Sequence, residues 1–435
     1  MFTSKRQDKF TTGLINTRND CFANSSIQAF AAMPGLDVYL NDILKQHKLL
    51  DKLPTNSEAP KLPLHEALAT IVQELQVTIT TQHYVSVWPF LQVIEKIFNS
   101  KISTNQNDAH ELVQLILETL DNENTKLKKF VKQSNLNFVI PEMPFNGLLA
   151  DQLTCLSCLN SSKPSFHPFA VLSLAVPQTS ITSLEEMVKK NEVETINGYN
   201  CLRCKIKAIL KVEKDQPTNS TAETQKLVAE LKQKESNISI NDDLPEDLDK
   251  FVKNYSYGGF KTENLQSTIV KKTLVVKPPR LLTVHLSRSM FTGTQVTRNS
   301  CRVQFEDEED ASSDEDNELN ASKENVKYRL RAVIRHHGTH NAGHYECYRH
   351  KPALVKDTLN DTVVNTSPTI NFGFAGFQLN SNELSSKSHN KRFKKIATVA
   401  KYPFWRISDT KVAEVKKEDV LRETQAVYMI YYERV

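Results

Sequence analysis

Cys21 stands in a polar stretch, GLINTRNDCFANSSIQ at 13–28, directly before an apolar-periodic run of Ile27, Phe30, Ala31 and Met33 that reads as a helix. A cysteine at a helix N-terminus meets unpaired N–H groups and the positive end of the helix dipole. Both favour the thiolate, the form that attacks a carbonyl carbon. Asn16, five residues upstream, can aim an amide at the oxygen that turns negative in such an attack. A buried structural cysteine is the competing reading, because free Cys is among the most buried residue types. A base for the nucleophile is available in Gly343-His344-Tyr345, where the glycine lets the backbone approach and the following strand holds the imidazole. With 12 histidines in the chain, and His336, His337 and His340 nearby, a chance match is easy. A third group to orient the imidazole is expected near the C-terminal strands, where Ser408 and Asp409 are adjacent, although either by itself also suits a turn.

Two further sets of residues carry chemistry. Cys155-x-x-Cys158 and Cys201-x-x-Cys204 supply four thiolates for one tetrahedral structural zinc, with the pairs expected as knuckles at the tips of separate hairpins. Their separation exceeds the common ribbon spacing, so the strands between them must form a longer finger; unligated thiols are the other reading. No thioredoxin-like βαβ pattern surrounds them, which argues against redox work. Asp108 and Glu111, three apart in the helix opening NDAHEL, share a face that can bind a cation or an arginine-rich peptide. The same two residues also suit a solvated first turn that complements the helix dipole.

The elements that must position these groups fall into two textures. Up to about residue 120 the periodicity is helical, at 24–33, 64–77, 85–97 and 107–120. After Pro144 short β-branched and aromatic runs predict strands at 166–176, 210–213, 267–276, 280–288 and 302–305, then two strands within 328–348, and last FWRIS, TKVAEV and AVYMIYYERV. Polar insertions are expected at 214–259, holding at most a surface helix, and at 352–395. The acidic, Ser-rich 306–325 reads as a disordered surface loop, a solvated linker or an acidic docking element. The layout predicts a helical lobe with the cysteine and an antiparallel β lobe with the histidines.

Composition narrows the class. With 39% hydrophobic and 24% charged residues the chain is an ordinary globular protein, and a net charge of +4 without a basic, aromatic-interleaved stripe argues against nucleic acid. The seven cysteines form two tight pairs and three singles, which suits a reducing, cytosolic or cytosol-facing location better than a disulfide framework. No window approaches the roughly 20 apolar residues of a membrane span, and MFTSKRQDKF lacks a signal-peptide core. Any membrane anchor would lie outside this sequence.

Taken together these residues resemble the ubiquitin-specific protease family of cysteine deubiquitinases. Gly13-Leu14, Asn16, Asn19, Cys21, Asn24-Ser25 and Gln28 are similar to its cysteine box, and Gln106, Asp108, Ala109 and Glu111 to its helix motif. The paired cysteines, PRLLTVHLSR at 279–288 and HHGTHNAGHYECY at 336–348 follow in the family's order. The resemblance implies an α+β, papain-like cysteine peptidase of right-hand architecture. After a tail at 1–12, a single catalytic domain at 13–435 would comprise a helical thumb (13–143), zinc-ribbon fingers with the first palm strands (144–290) and an antiparallel palm (291–435). It implies a monomeric thiol isopeptidase that binds ubiquitin and ubiquitinated proteins and cuts after ubiquitin's terminal glycine, without a catalytic cofactor. Cys21 would be the nucleophile, His344 the base and Asn16 an oxyanion donor, with the arginine-bearing ubiquitin tail on Asp108 and Glu111. A zinc-ribbon scaffold with a dead active site is the alternative.

The pattern is departed from at Arg18 and Asp20, where the family usually has Gly and Thr. The last box leaves two alignments for the residue that orients His344: Ser408 if Val412 is matched, Asp409 if Trp405 is. The first is similar to a branch anchored in the mitochondrial outer membrane, which uses Ser and also ends YERV. A one-residue slip in a strand exchanges faces, so only one of the two is expected to face His344; alignment on Val412 keeps the register through Thr410-Lys411-Val412, which makes Ser408 the expected third member and Asp409 the alternative.

Overall fold

The computed structural model describes residues 6–53, 58–102, 107–215, 222–291, 293, 296–311, 326–338, 343–372 and 392–435. Chain contacts divide it into two units: Met1–Gly147, Phe169–Met187 and Pro278–Val435 form the first, Leu148–Pro168 and Val188–Lys277 the second.

Among the described residues of the first unit, the five longest helices pack with a large sheet. The helices are Cys21–Phe30, Pro34–Leu50, Pro63–Leu75, Trp88–Phe98 and Ala109–Gln133. Three of them carry proline in the first turn, where its missing N–H has no partner to lose. The fifth is capped by Asp108, which accepts from the N–H groups of His110 and Glu111 at 2.7 and 3.2 Å. Across the sheet the order is Lys411–Val415, Phe404–Ser408, Gly343–His350, Val326–Gly338, Val427–Arg434, Leu281–Ser287 and Val171–Ala175, with Glu308–Ala311 paired to Val326–Gly338. Neighbours are antiparallel except the last pair, which is parallel. Helices and sheet share one core, in which Phe30 lies edge-on to Phe145 and Tyr431 at centroid distances of 5.9 and 6.2 Å.

In the second unit the sheet order is Ser165–Phe169, Gly147–Cys155, Ser267–Lys277 and Val193–Tyr199. Three helices, Leu202–Asp215, Ala222–Lys234 and Glu246–Asn254, enclose their own small core of Ile206, Ile209, Leu231, Ile238, Leu248, Val252 and Tyr255.

Several expectations need correction. Residues 210–213 are the last turns of a helix, because Ile206 and Ile209 bury a face at helical spacing that a four-residue window does not reveal. The 214–259 insertion holds the helices Ala222–Lys234 and Glu246–Asn254 rather than one surface helix; its few apolar residues are spread over separate, predominantly polar segments. The 166–176 run is two strands, Ser165–Phe169 and Val171–Ala175, in different sheets. The 107–120 helix continues to Gln133, and the helix Pro34–Leu50 was not anticipated. Within 352–395, Leu354–Asp357, Thr362–Asn365 and Phe393–Lys395 form a small sheet. Ile370 from the same stretch is buried in the main core, its carbonyl and N–H held by Gln73 and Gln76. Of the acidic stretch, Glu308–Ala311 is a strand and 312–325 lie outside the described residues, as do Gln106 and His340.

Candidate active site

The loop that presents Cys21 is built around Asp20. Its Oδ2 accepts from the N–H and hydroxyl of Thr17 at 2.9 and 3.0 Å, the N–H of Arg18 at 3.1 Å and the indole N–H of Trp88 at 3.2 Å. The carboxylate is thus turned away from the helix it precedes and into the loop. Its own N–H donates to Asn16 Oδ1 at 2.9 Å, closing the turn. The residue with left-handed backbone is Asn19 (φ 61°), a type that tolerates this conformation. Arg18 is not left-handed, so nothing there demands glycine, and its guanidinium lies over the Trp88 ring at 5.5 Å.

Cys21 opens the helix and is only 5% exposed. Burial pushes its thiol up and so does the charge of Asp409, while backbone hydrogen bonding from Tyr345 and from the helix's first residues pulls it down. The helix end alone therefore does not set the thiol's state. The Tyr345 contact also brings the strand Gly343–His350 to the sulfur, with His344 the residue before it. A side chain at position 343 would run into the His336 ring and the His337 carbonyl, so glycine is needed for the approach.

On its other side His344 Nε2 lies 2.8 Å from Ser408 Oγ and 4.0 Å from Asp409 Oδ2. Ser408 ends the strand Phe404–Ser408, and Asp409, left-handed at φ 54°, begins the two-residue turn to Lys411–Val415. The turn leaves the strand's alternation, so both side chains lie on the His344 side; register alone does not separate them. Distance and partners do. The Asp409 carboxylate accepts from Asn16 Nδ2 at 2.9 Å and from Asn24 Nδ2 at 2.8 Å, and its carbonyl accepts from Leu14 N–H at 3.0 Å. Gly13 runs so close that a Cβ there would sit 2.9 Å from the Asp409 carbonyl oxygen.

Asp108 lies further along the same unit. While Oδ1 caps its helix, Oδ2 accepts from the hydroxyls of Tyr428 at 2.6 Å and Tyr345 at 3.3 Å. A polar cavity of about 70 Å³ adjoins it, lined among others by His285, Arg298, His336, Tyr345 and Tyr428. Glu111 is exposed. Residues the sequence did not single out include Trp88, Tyr428 and Arg349. The last is fully buried on the strand of His344 and donates to Gln28 Oε1 at 3.0 Å on the helix of Cys21. A polar residue inside an apolar strand pattern was the available signal for Arg349; Tyr428 gave none.

A family model described as ubiquitin carboxyl-terminal hydrolase matches residues 12–432. The chain belongs to this family. As a ubiquitin carboxyl-terminal hydrolase it is a ubiquitin-specific cysteine protease. It is 36% identical over 456 residues to ubiquitin carboxyl-terminal hydrolase 16 of Saccharomyces cerevisiae, covering 98% of this chain and 90% of that protein. It is also 23% identical to human ubiquitin carboxyl-terminal hydrolase 30, covering 82% and 79%. In fold it is similar to Ubp8 in a SAGA DUB module with Sgf11, Sus1 and Sgf73 bound to ubiquitin aldehyde, with a TM-score of 0.56, 18% identity, and coverage of 100% of this chain and 71% of that one.

In the second unit of the hydrolase, Cys155, Cys158, Cys201 and Cys204 place their sulfurs within 4.8 Å of one another, with Cys155 to Cys204 at 3.6 Å and Cys158 to Cys201 at 3.8 Å. Zn–S bonds of about 2.3 Å in a tetrahedron separate the sulfurs by about 3.8 Å, so the four fit a zinc ion. The first pair follows a strand, but the second spans the start of the helix Leu202–Asp215 rather than a hairpin tip. Among the described residues no helix is long and apolar enough to cross a membrane.

Proposed function

We propose that the hydrolase frees ubiquitin from lysine amines of proteins or of ubiquitin chains by a Cys21, His344 and Ser408 triad. The observation that carries the reading is the 2.8 Å contact of His344 Nε2 with Ser408 Oγ, beside a strand whose next residue bonds the Cys21 sulfur. If Ser408 accepts from Nε2–H, the imidazole is fixed in the tautomer that leaves Nδ1 unprotonated to take the Cys21 proton. The thiolate then adds to the carbonyl carbon of ubiquitin's last glycine. His344 gives the proton to the departing amine, leaving a thioester, and next draws a proton from the water that hydrolyses it.

Because burial favours the neutral thiol, the base is needed at the moment of attack. Asn16, whose amide keeps a second proton beyond the one it gives Asp409, and the N–H of Cys21 at the helix start receive the oxyanion. Asp409 acts on Asn16, not on His344, by holding the amide that faces the reaction. Glu111, exposed at the start of its helix, meets an arginine of the ubiquitin tail, and Asp108 shapes the channel through its tyrosines. The four clustered cysteines hold one structural zinc, which contributes folding free energy. Two cysteine pairs clustered as for zinc, with three single cysteines, suit a reducing, cytosol-facing location.

Incubation with ubiquitin carrying a C-terminal electrophile tests the reading. A covalent adduct located on Cys21 is expected, lost in Cys21→Ala, which should still bind ubiquitin within a few-fold. Absence of an adduct in a folded, ubiquitin-binding protein would make it a scaffold instead.

A further inference from the structure

Three strands meet at Glu346. On Gly343–His350 it stands opposite Arg335 of Val326–Gly338. On its other side Cys347 pairs with Ile407, so the same register sets Glu346 opposite Ser408. Arg335 Nε donates to Glu346 Oε2 at 2.6 Å; Arg406 Nε donates to the same oxygen at 3.1 Å, and its Nη2 to Oε1 at 3.4 Å. Arg335 also reaches the Glu423 carboxylate. Glu346 and Arg335 are both more than nine-tenths buried. Residues two apart on a strand share a face, so Arg406 lies on the face of Ser408 and Glu346 on that of His344.

This arrangement bears on a weakness in the His344–Ser408 contact. Serine is one bond shorter than asparagine or aspartate, so its reach must come from the backbone. Yet Ser408 lies beyond the last backbone pair between the two strands, which ends at Cys347 and Ile407. The Ser408 backbone pairs with Lys411 instead, so a shift of that hairpin against the strand of His344 would carry Oγ out of hydrogen-bond range.

We propose that Arg406, anchored through Glu346 to Arg335, is a positioning residue for the reaction: its fork fixes the end of the Phe404–Ser408 strand so that Ser408 stays within reach of His344. The inference rests on Ser408 being the orienting residue. A double-mutant cycle on hydrolysis of a ubiquitin C-terminal amide tests it, with thermal unfolding confirming that each variant folds. The Arg406 side chain is 44% exposed, so its replacement leaves little buried vacancy.

Arg406→Gln should lower kcat about three- to tenfold with KM unchanged within about twofold, at the lower end of the coupling found within one hydrogen-bonded network. Arg406→Lys, which keeps the charge but not the fork, should recover part of the loss. In a Ser408→Ala background Arg406→Gln should cost nothing further. Multiplying losses in the double variant, with Ser408→Ala itself impaired, would overturn the positioning role while leaving the triad intact. Wild-type kcat in Arg406→Gln would do the same. Wild-type kcat in Ser408→Ala would remove both.

Discussion

Asn16 and Asp409 hold each other across the site: the Asn16 amide donates to Asp409 Oδ2 at 2.9 Å, although the residues are 393 apart in sequence. A carboxylate next to the catalytic histidine's partner would ordinarily be assigned to the histidine. Here it is taken by two asparagines, Asn16 and Asn24. Asp409→Ala should therefore act through the oxyanion loop. It should lower kcat by at most about the hundred- to thousandfold that outright loss of an oxyanion donor costs, and add little to Asn16→Ala. Fully multiplicative losses from the two substitutions would show that Asp409 works elsewhere.

Asp20 gathers the donors of its loop, so Asp20→Ala should leave the Thr17 and Arg18 N–H groups and the Trp88 indole without their carboxylate acceptor. These donors can turn to water, so the cost is about 0.5–1.5 kcal/mol of stability per bond lost, with a fall in kcat as the loop loosens. Asp20→Asn keeps an acceptor and should be milder. Equal melting temperatures for Asp20→Ala and the unaltered protein would contradict the cradle. Asp20 was visible in the sequence only as a departure from a pattern; what it binds was not, because Trp88 reaches it from a separate helix.

The state of Cys21 follows from burial outweighing the helix end. A raised thiol pKa means that the group is protonated at neutral pH and ionises only above the ordinary cysteine range. In His344→Ala, which lacks the base, alkylation of Cys21 followed by mass spectrometry should rise with pH and reach half its plateau above that range. A midpoint at or below the ordinary value would mean that the helix N-terminus dominates after all.

How much was legible depended on whether the cause was local. Cys21 at a helix start, the C-terminal strands and the paired cysteines were read from contiguous residues; the helix start, the strands and the clustering of the four sulfurs are found, while the second pair opens a helix instead of tipping a hairpin. The helical layer at 202–254 was missed because Ile209, Leu231, Ile238, Leu248 and Val252 come from separate segments, each too polar to suggest a core alone. The roles of Ser408 and Asp409 were similarly closed to register arguments, since a turn residue at φ 54° escapes the strand's alternation.

That layer carries its own prediction. Ile240 packs with Cys155, Cys201 and Ile269, and its carbonyl accepts from Leu202 N–H at 3.1 Å. Deleting 214–259 should thus destabilise the second unit, since each buried aliphatic side chain is worth about 1.5–3 kcal/mol, and should reduce zinc retained per chain. An unchanged melting profile with full zinc content would return the segment to the status of a dispensable loop.

A neutral hydroxyl, that of Ser408, stands where it can orient the His344 imidazole. Steady-state hydrolysis of a ubiquitin C-terminal amide by folded Ser408→Ala measures that role most directly. The geometry predicts a kcat lowered by at least about tenfold with KM within about twofold, the pattern of an interaction made only in the transition state. Wild-type kcat in that variant would contradict it.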